Sequence, residues 1–193
     1  MSSPTVGRGD AMRFTSEKKV LIKLQSIKGA FAKTMRERFE HRAESCSTCR
    51  TPGACCLDAH FVNVRITRLE AVAIWRRLSV LSPEHREAVY SRIEDAIGKY
   101  KLTDHEDGPS QTYACPLFEK GTGCLVHKYG KPLPCIAHAC YERKEDLPPD
   151  ELLTEREIEV DRLNEHLYRK PTRWLPLPVA ISRLRPFSAD PPG

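Results

Sequence analysis

Eight cysteines in a chain of 193 residues carry the clearest chemical potential of the sequence. They fall into two blocks, Cys46, Cys49, Cys55 and Cys56, then Cys115, Cys124, Cys135 and Cys140. The 58 residues between the blocks contain none. Scattered core thiols, which pack as small hydrophobes, have no reason to cluster at turn-rich positions. Clustered thiolates instead suit a metal ion or an iron–sulfur cluster. A small disulfide scaffold would need a cysteine content above roughly 8–10%. Cys46-x2-Cys49 has the spacing that lets two sulfurs converge on one ion from a tight turn. Thiol redox chemistry is the alternative for such a pair, and it wants a thioredoxin-like βαβ context. Cys55 and Cys56 are adjacent, and neighbouring side chains diverge in extended backbone. The two therefore serve different centres, or one ligates while the other packs.

The second block has gaps of eight, ten and four residues and no Cys-x2-Cys knuckle. A zinc ribbon would show two such knuckles. Cys115-Pro116 instead matches the Cys-Pro dipeptide of bacterial iron–sulfur sequences. An iron–sulfur cluster is slightly favoured over Zn2+, and the choice stays open. His127 and His138 lie within this block, and His60 follows the first. Each either packs beside a thiolate or joins a mixed Cys/His site, since imidazole suits zinc and iron. Asp58 and Glu119 read as surface groups.

With these residues in place, the sequence resembles a bacterial cysteine-cluster family of zinc- or iron-chelating domains. Its pattern is Cys-x2-Cys, a close Cys-Cys pair, a later Cys-Pro, and three further cysteines, one of them shortly after a basic residue and a proline. Cys46, Cys49, Cys55, Cys56, Cys115, Cys124, Cys135 and Cys140 match it in order, over residues 45–141. The resemblance implies that all eight are metal ligands. His127 stands where Tyr is common, Lys131 where Arg usually precedes the proline, and Ile136 where Arg is common. A similar cysteine set in flagellin lysine methylases implies an enzymatic alternative, an iron–sulfur oxidoreductase or methyl-transfer component. A third class is a zinc-stabilised module that binds a protein partner.

The elements that must position these residues read as mainly α with a short β element. Residues 1–15 lack periodicity and are expected to be a disordered tail. From Ser16 to residue 44 a helix is expected, because Leu24, Ile27, Phe31, Met35 and Phe39 recur at steps of three or four. Residues 45–141 form the cysteine-cluster domain. Within it, 45–57 reads as a loop with a turn at Thr51-Pro52-Gly53. Phe61 to Ile66 reads as a strand. Thr67-Arg68-Leu69-Glu70 matches a capping box opening a helix to Ser79. Ser82-Pro83 caps another, to about Lys101, with Val89, Ile93, Ile97 and Tyr100 inward. The two make a helical hairpin. The Gly-, Pro- and Cys-rich stretch 102–141 needs an organiser, and a bound metal would supply one. Residues 142–170 carry a C-terminal helix, opened by a second capping box at Thr154-Glu155-Arg156-Glu157, with Val160, Leu163 and Leu167 inward. Residues 171–193, with six prolines, are expected to form an extended tail in which Trp174, Leu175 and Leu177 pack on the domain, and which offers a surface to a protein partner.

Composition narrows the function classes. Hydrophobic residues are 40%, charged residues 30% and the net charge +5. No run approaches the roughly 18 apolar residues of a membrane span. The first twenty residues hold no apolar core of a secretory signal, so a cytoplasmic location with reduced thiols is expected. Aromatic residues are 7% and do not interleave with the basic ones, so a stacking nucleic-acid surface is not expected. Gly121-Thr122-Gly123 lacks the following Lys-Ser/Thr of a phosphate loop.

Overall fold

The computed structural model describes residues 8–44, 51, 53–57, 62–104 and 111–184, with side chains from residue 17 onward. The chain is mainly helical with a few short strands. Helix α1 spans Arg8–Arg38. It opens eight residues before the expected start, through the helix formers Ala11, Met12 and Arg13. It also stops earlier than residue 44: a 3-10 turn at Glu40–Arg42 and the two-residue strand β1, Ala43–Glu44, follow. The expected stripe is the face it buries, with Leu24, Phe31, Met35 and Phe39 nearly inaccessible.

A four-residue helix α2, Ala54–Leu57, ends the region expected to be loop. The expected strand at Phe61–Ile66 shrinks among the described residues to β2, Arg65–Ile66. Helix α3, Arg68–Leu78, follows with both halves of its capping box formed: Glu70 N–H donates to Thr67 Oγ1 at 3.2 Å, and Thr67 N–H to Glu70 Oε2 at 3.3 Å. Helix α4, Pro83–Tyr100, has Ser82 as N-cap and a left-handed C-cap at Lys101. Strands β3, Phe118–Glu119, and β4, Gly123–Cys124, form a hairpin. Helix α5, Leu133–Ala137, and strand β5, Cys140–Tyr141, close the second cysteine block. Strand β5 pairs antiparallel with β1, setting Cys140 opposite Glu44.

Helix α6 spans Asp150–Tyr168, one turn longer than the second capping box predicts. Pro149 is its N-cap residue, and Asp150 and Glu151 fill its first turn, where acidic groups favour the helix dipole. The Thr154 hydroxyl therefore donates back to the Asp150 carbonyl at 3.1 Å instead of capping. The stretch expected to be an extended tail holds strand β6, Leu175–Pro176, paired with β2, and helix α7, Leu177–Ser182. Leu177, Val179 and Ile181 are buried, so α7 supplies core, and α3 and α4 each pack against it. Leu175 and Leu177, expected to pack on the domain, are buried, and Trp174 is partly so. Residues 185–193 lie outside the described part.

Two apolar clusters result. One gathers Ile74, Leu78, Val89, Ile93, Tyr113, Leu117, Val126, Leu177 and Ile181. The other gathers Leu24, Phe31, Met35, Leu69, Leu133, Val160 and Leu163. Helix α3 feeds both, and the second cysteine block lies along them. Among the described residues, no helix is long and apolar enough to cross a membrane.

Candidate metal centre

The path to the site begins at Gly53. Its φ of +84° is one that side-chain-bearing residues rarely adopt. A Cβ there would lie 1.9 Å from Phe118 Cζ, so the ring of β3 rests on this glycine. Leu57 N–H and Cys56 N–H both donate to the Gly53 carbonyl, winding α2 into a single turn. Cys55 and Cys56 are therefore helical, not extended. Their side chains still diverge, by about 100° around the axis at 3.6 residues per turn. The Cys56 carbonyl accepts from Cys115 N–H at 2.7 Å, which joins the two blocks through the backbone.

Cys115 is placed by Tyr113. That side chain is fully buried, its hydroxyl donating to the Val64 carbonyl and accepting from Leu177 N–H. The hairpin then returns Cys124 opposite Phe118. Helix α4 clamps the hairpin: Arg92 reaches Glu119 Oε1 at 2.6 Å and the Pro116 carbonyl at 3.1 Å, and His85 Nε2 lies 2.8 Å from Glu119. Glu119, expected at the surface, is thus a part-buried anchor. Burial raises its carboxyl, but the pull of His85 and Arg92 is stronger and its pKa is lowered.

Cys135 sits on α5, whose first turn is fixed by Glu70. Glu70 is fully buried; its Oε1 lies 2.8 Å from Lys28 Nζ and accepts from Leu133 N–H at 3.4 Å. One carboxylate therefore ties α1, α3 and α5 together.

Cys56, Cys115, Cys124 and Cys135 share one electrostatic neighbourhood. Burial pushes the Cys56, Cys115 and Cys135 thiols up to about 12. After burial, the largest influence on Cys56 is its neighbour Cys55, followed by Cys115 and Cys124; Cys135 and Cys124 act on Cys115, and Cys124, Cys56 and Glu70 on Cys135. Cys124 is raised by burial alone. Opposing this, the backbone amides of Leu117 and Phe118 face the Cys115 sulfur, that of Val126 faces Cys124, and Lys131 draws down Cys124 and Cys135. Amides aimed at sulfur favour the thiolate over the thiol.

Of the eight expected ligands, Cys56, Cys115, Cys124 and Cys135 lie close enough for charge on one to be felt by another, one from the first block and three from the second. Cys55 enters only through its neighbour Cys56. Cys140 is held opposite Glu44 on the paired strands. Cys46, Cys49, Asp58 and His60 lie outside the described residues. His127 and His138 are largely exposed; partial desolvation of each ring, and then Lys131, lower their pKa values, with no cysteine among the groups acting on them. Among the described residues, no three Cys, His, Asp or Glu side chains form a ready-made coordination group.

Sequence reasoning missed Glu70 and Lys28, whose pairing is tertiary. It noted Lys131 only as a departure from a pattern, whereas Lys131 is the cation facing two of the thiols. A cleft of about 340 Å3 opens beside α5, lined by Asn63, Arg65, Pro134, Glu157 and Trp174. Comparison of the chain with protein-family models, curated proteins and solved structures gives no match.

Proposed function

We propose that this chain is a metal-binding protein in which Cys56, Cys115, Cys124 and Cys135 hold an iron–sulfur cluster or a zinc ion. The observation that carries the reading is the backbone bond from Cys115 N–H to the Cys56 carbonyl, which joins the two blocks at their cysteines, with half-buried Cys124 and Cys135 among the groups acting on these thiols. Such thiols stay protonated at neutral pH without a counter-charge, and a cation supplies it. The donor set fits: four sulfurs match a tetrahedral zinc site or the cysteines of one cluster. The amides facing Cys115 and Cys124 and the Lys131 ammonium favour thiolate in either case. Cys115-Pro116 tilts the choice toward the cluster. Cys46, Cys49, Cys55 and Cys140 are the sulfurs left for a second centre.

The test is anaerobic purification with elemental and labile-sulfide analysis. A brown protein with acid-labile sulfide establishes the cluster, and a colourless protein with stoichiometric zinc establishes the ion. Cys115→Ser and Cys135→Ser should each lower metal content sharply, whereas Cys55→Ser should retain it. Full metal retention in Cys115→Ser combined with Cys135→Ser would refute the site.

A second reading is favoured by the cleft beside α5, since Pro134 in its wall adjoins Cys135. There the centre would serve an enzyme, an iron–sulfur oxidoreductase or a methyl-transfer component. A spectral change of the loaded protein on adding a small substrate separates it from the first.

A further inference from the structure

A second cleft, of about 320 Å3, lies between the C-terminal end of α6 and helix α7. Its size is at the lower end of small-molecule sites, roughly 300–1,000 Å3. Arg68, Lys170, Arg173 and Arg183 line it, and no carboxylate does among the described residues. Its floor is apolar, with Leu175 and Ala180 buried and Leu184 partly so.

Three of the four cations are already held in place. Arg183 is ion-paired with Asp104, and Arg173 donates to the Asp104 carbonyl at 2.7 Å. Arg68 lies over the Tyr168 ring, 4.7 Å from its centre. Fixing these side chains in advance removes much of the ordering cost of binding. Asp104 offsets one of the four charges, and the carbonyl end of α6 offsets about half of another. The cleft therefore keeps a surplus of positive charge. Tyr168 lines the same cleft, with its hydroxyl buried beside the Arg68 guanidinium. Burial, the largest influence, keeps that hydroxyl protonated, with its pKa pushed up to about 12.

We propose that this cleft binds a small oxyanion ligand, a phosphate or carboxylate carried on an apolar body, with the body on the Leu175–Ala180 floor and the anion among the four cations. The site is separate from the cysteine group and stands whether or not that group holds metal.

The test titrates the full chain calorimetrically with phenyl phosphate, benzoate and phenol. Saturable binding of phenyl phosphate or benzoate, with no binding of phenol, is the expected result; the tighter of the two assigns phosphate or carboxylate. Arg68→Gln combined with Lys170→Gln, both exposed positions, should weaken binding about tenfold or more, a change of at least 1.4 kcal/mol. No saturable binding of either anion, equal binding of phenol, or unchanged affinity in the folded double variant would overturn the proposal.

Discussion

Helix α3 and the stretch 111–141 stand side by side in the same fold and are held by different means. Six of the 11 residues of α3 are buried, and its ends are capped by its own side chains. Only seven of the 31 residues from 111 to 141 are buried, and their regular structure is one hairpin, one five-residue helix and half of a two-stranded pair. Burial of apolar side chains, worth about 1.5–3 kcal/mol each, can hold the first without help. The second relies on a few anchors, Tyr113, Leu117, Val126 and Leu133, with long exposed turns between them. Between those anchors lie the thiols.

The largest expected effect tests that contrast directly. A structural thiolate site contributes binding free energy of order 10 kcal/mol, and that energy is folding energy for the residues it organises. Chelation should therefore raise amide exchange through 111–141, most between Phe118 and Leu133. Amides of α3 and of α4 around Ile93 should keep their protection. Hydrogen exchange before and after verified metal removal reads this out. Equal protection in both regions would mean that the anchors suffice and that the contrast in burial has no energetic meaning.

Glu70 is where the two regions are joined, and its loss is the next largest effect. Glu70→Ala leaves Lys28 buried without its carboxylate, and breaking such a pair costs about 3–5 kcal/mol. At roughly 2–4 °C per kcal/mol for a chain of this size, the melting temperature should fall by about 10 °C. The same change frees Leu133 N–H at the start of the helix bearing Cys135, so metal content should fall too. A thermal melt and a metal assay on one preparation measure both. A lower melting temperature with full metal content would confine Glu70 to the helical frame and uncouple the regions.

The two regions also differed in how plainly the sequence foretold them. The α1 stripe, the Thr67–Glu70 capping box and the Ser82-Pro83 start were legible because each is a local rule, a period of 3.6 or a side chain bonding its own backbone. Thr154 failed because Pro149, Asp150 and Glu151 already open the helix one turn earlier. Helix α7 was invisible: six residues with a proline among them show no periodicity, and it forms because α3 and α4 leave an apolar face to fill. The cysteine positions raise the expectation of ligation, yet how the two blocks are joined depends on the Cys115–Cys56 backbone bond and the hairpin. No spacing encodes those. Glu70 read only as half of a capping box, and its second role toward Lys28 and Leu133 is tertiary.

The smallest effect probes the frame side of the same junction. Glu157 on α6 has its pKa raised, first by burial and then by Glu70 and Asp161. Its carboxyl thus binds a proton more tightly in the folded chain than in the unfolded one, where the value is near 4.5. Below that value both states are protonated and Glu157 costs nothing. As pH rises past it, the unfolded chain loses its proton first, and stability falls until the folded carboxyl has ionised as well. The cost then persists at neutral pH. Glu157→Gln removes it and should stabilise the protein at pH 7, by less than about 1 kcal/mol because the site is half-exposed and solvent screens it. The gain should vanish as the pH is lowered through the ordinary carboxylate range. Melting curves of both proteins across that range decide the matter. A difference that stays constant with pH would mean that neither burial nor the neighbouring Glu70 and Asp161 carboxyls shift Glu157 in the folded chain.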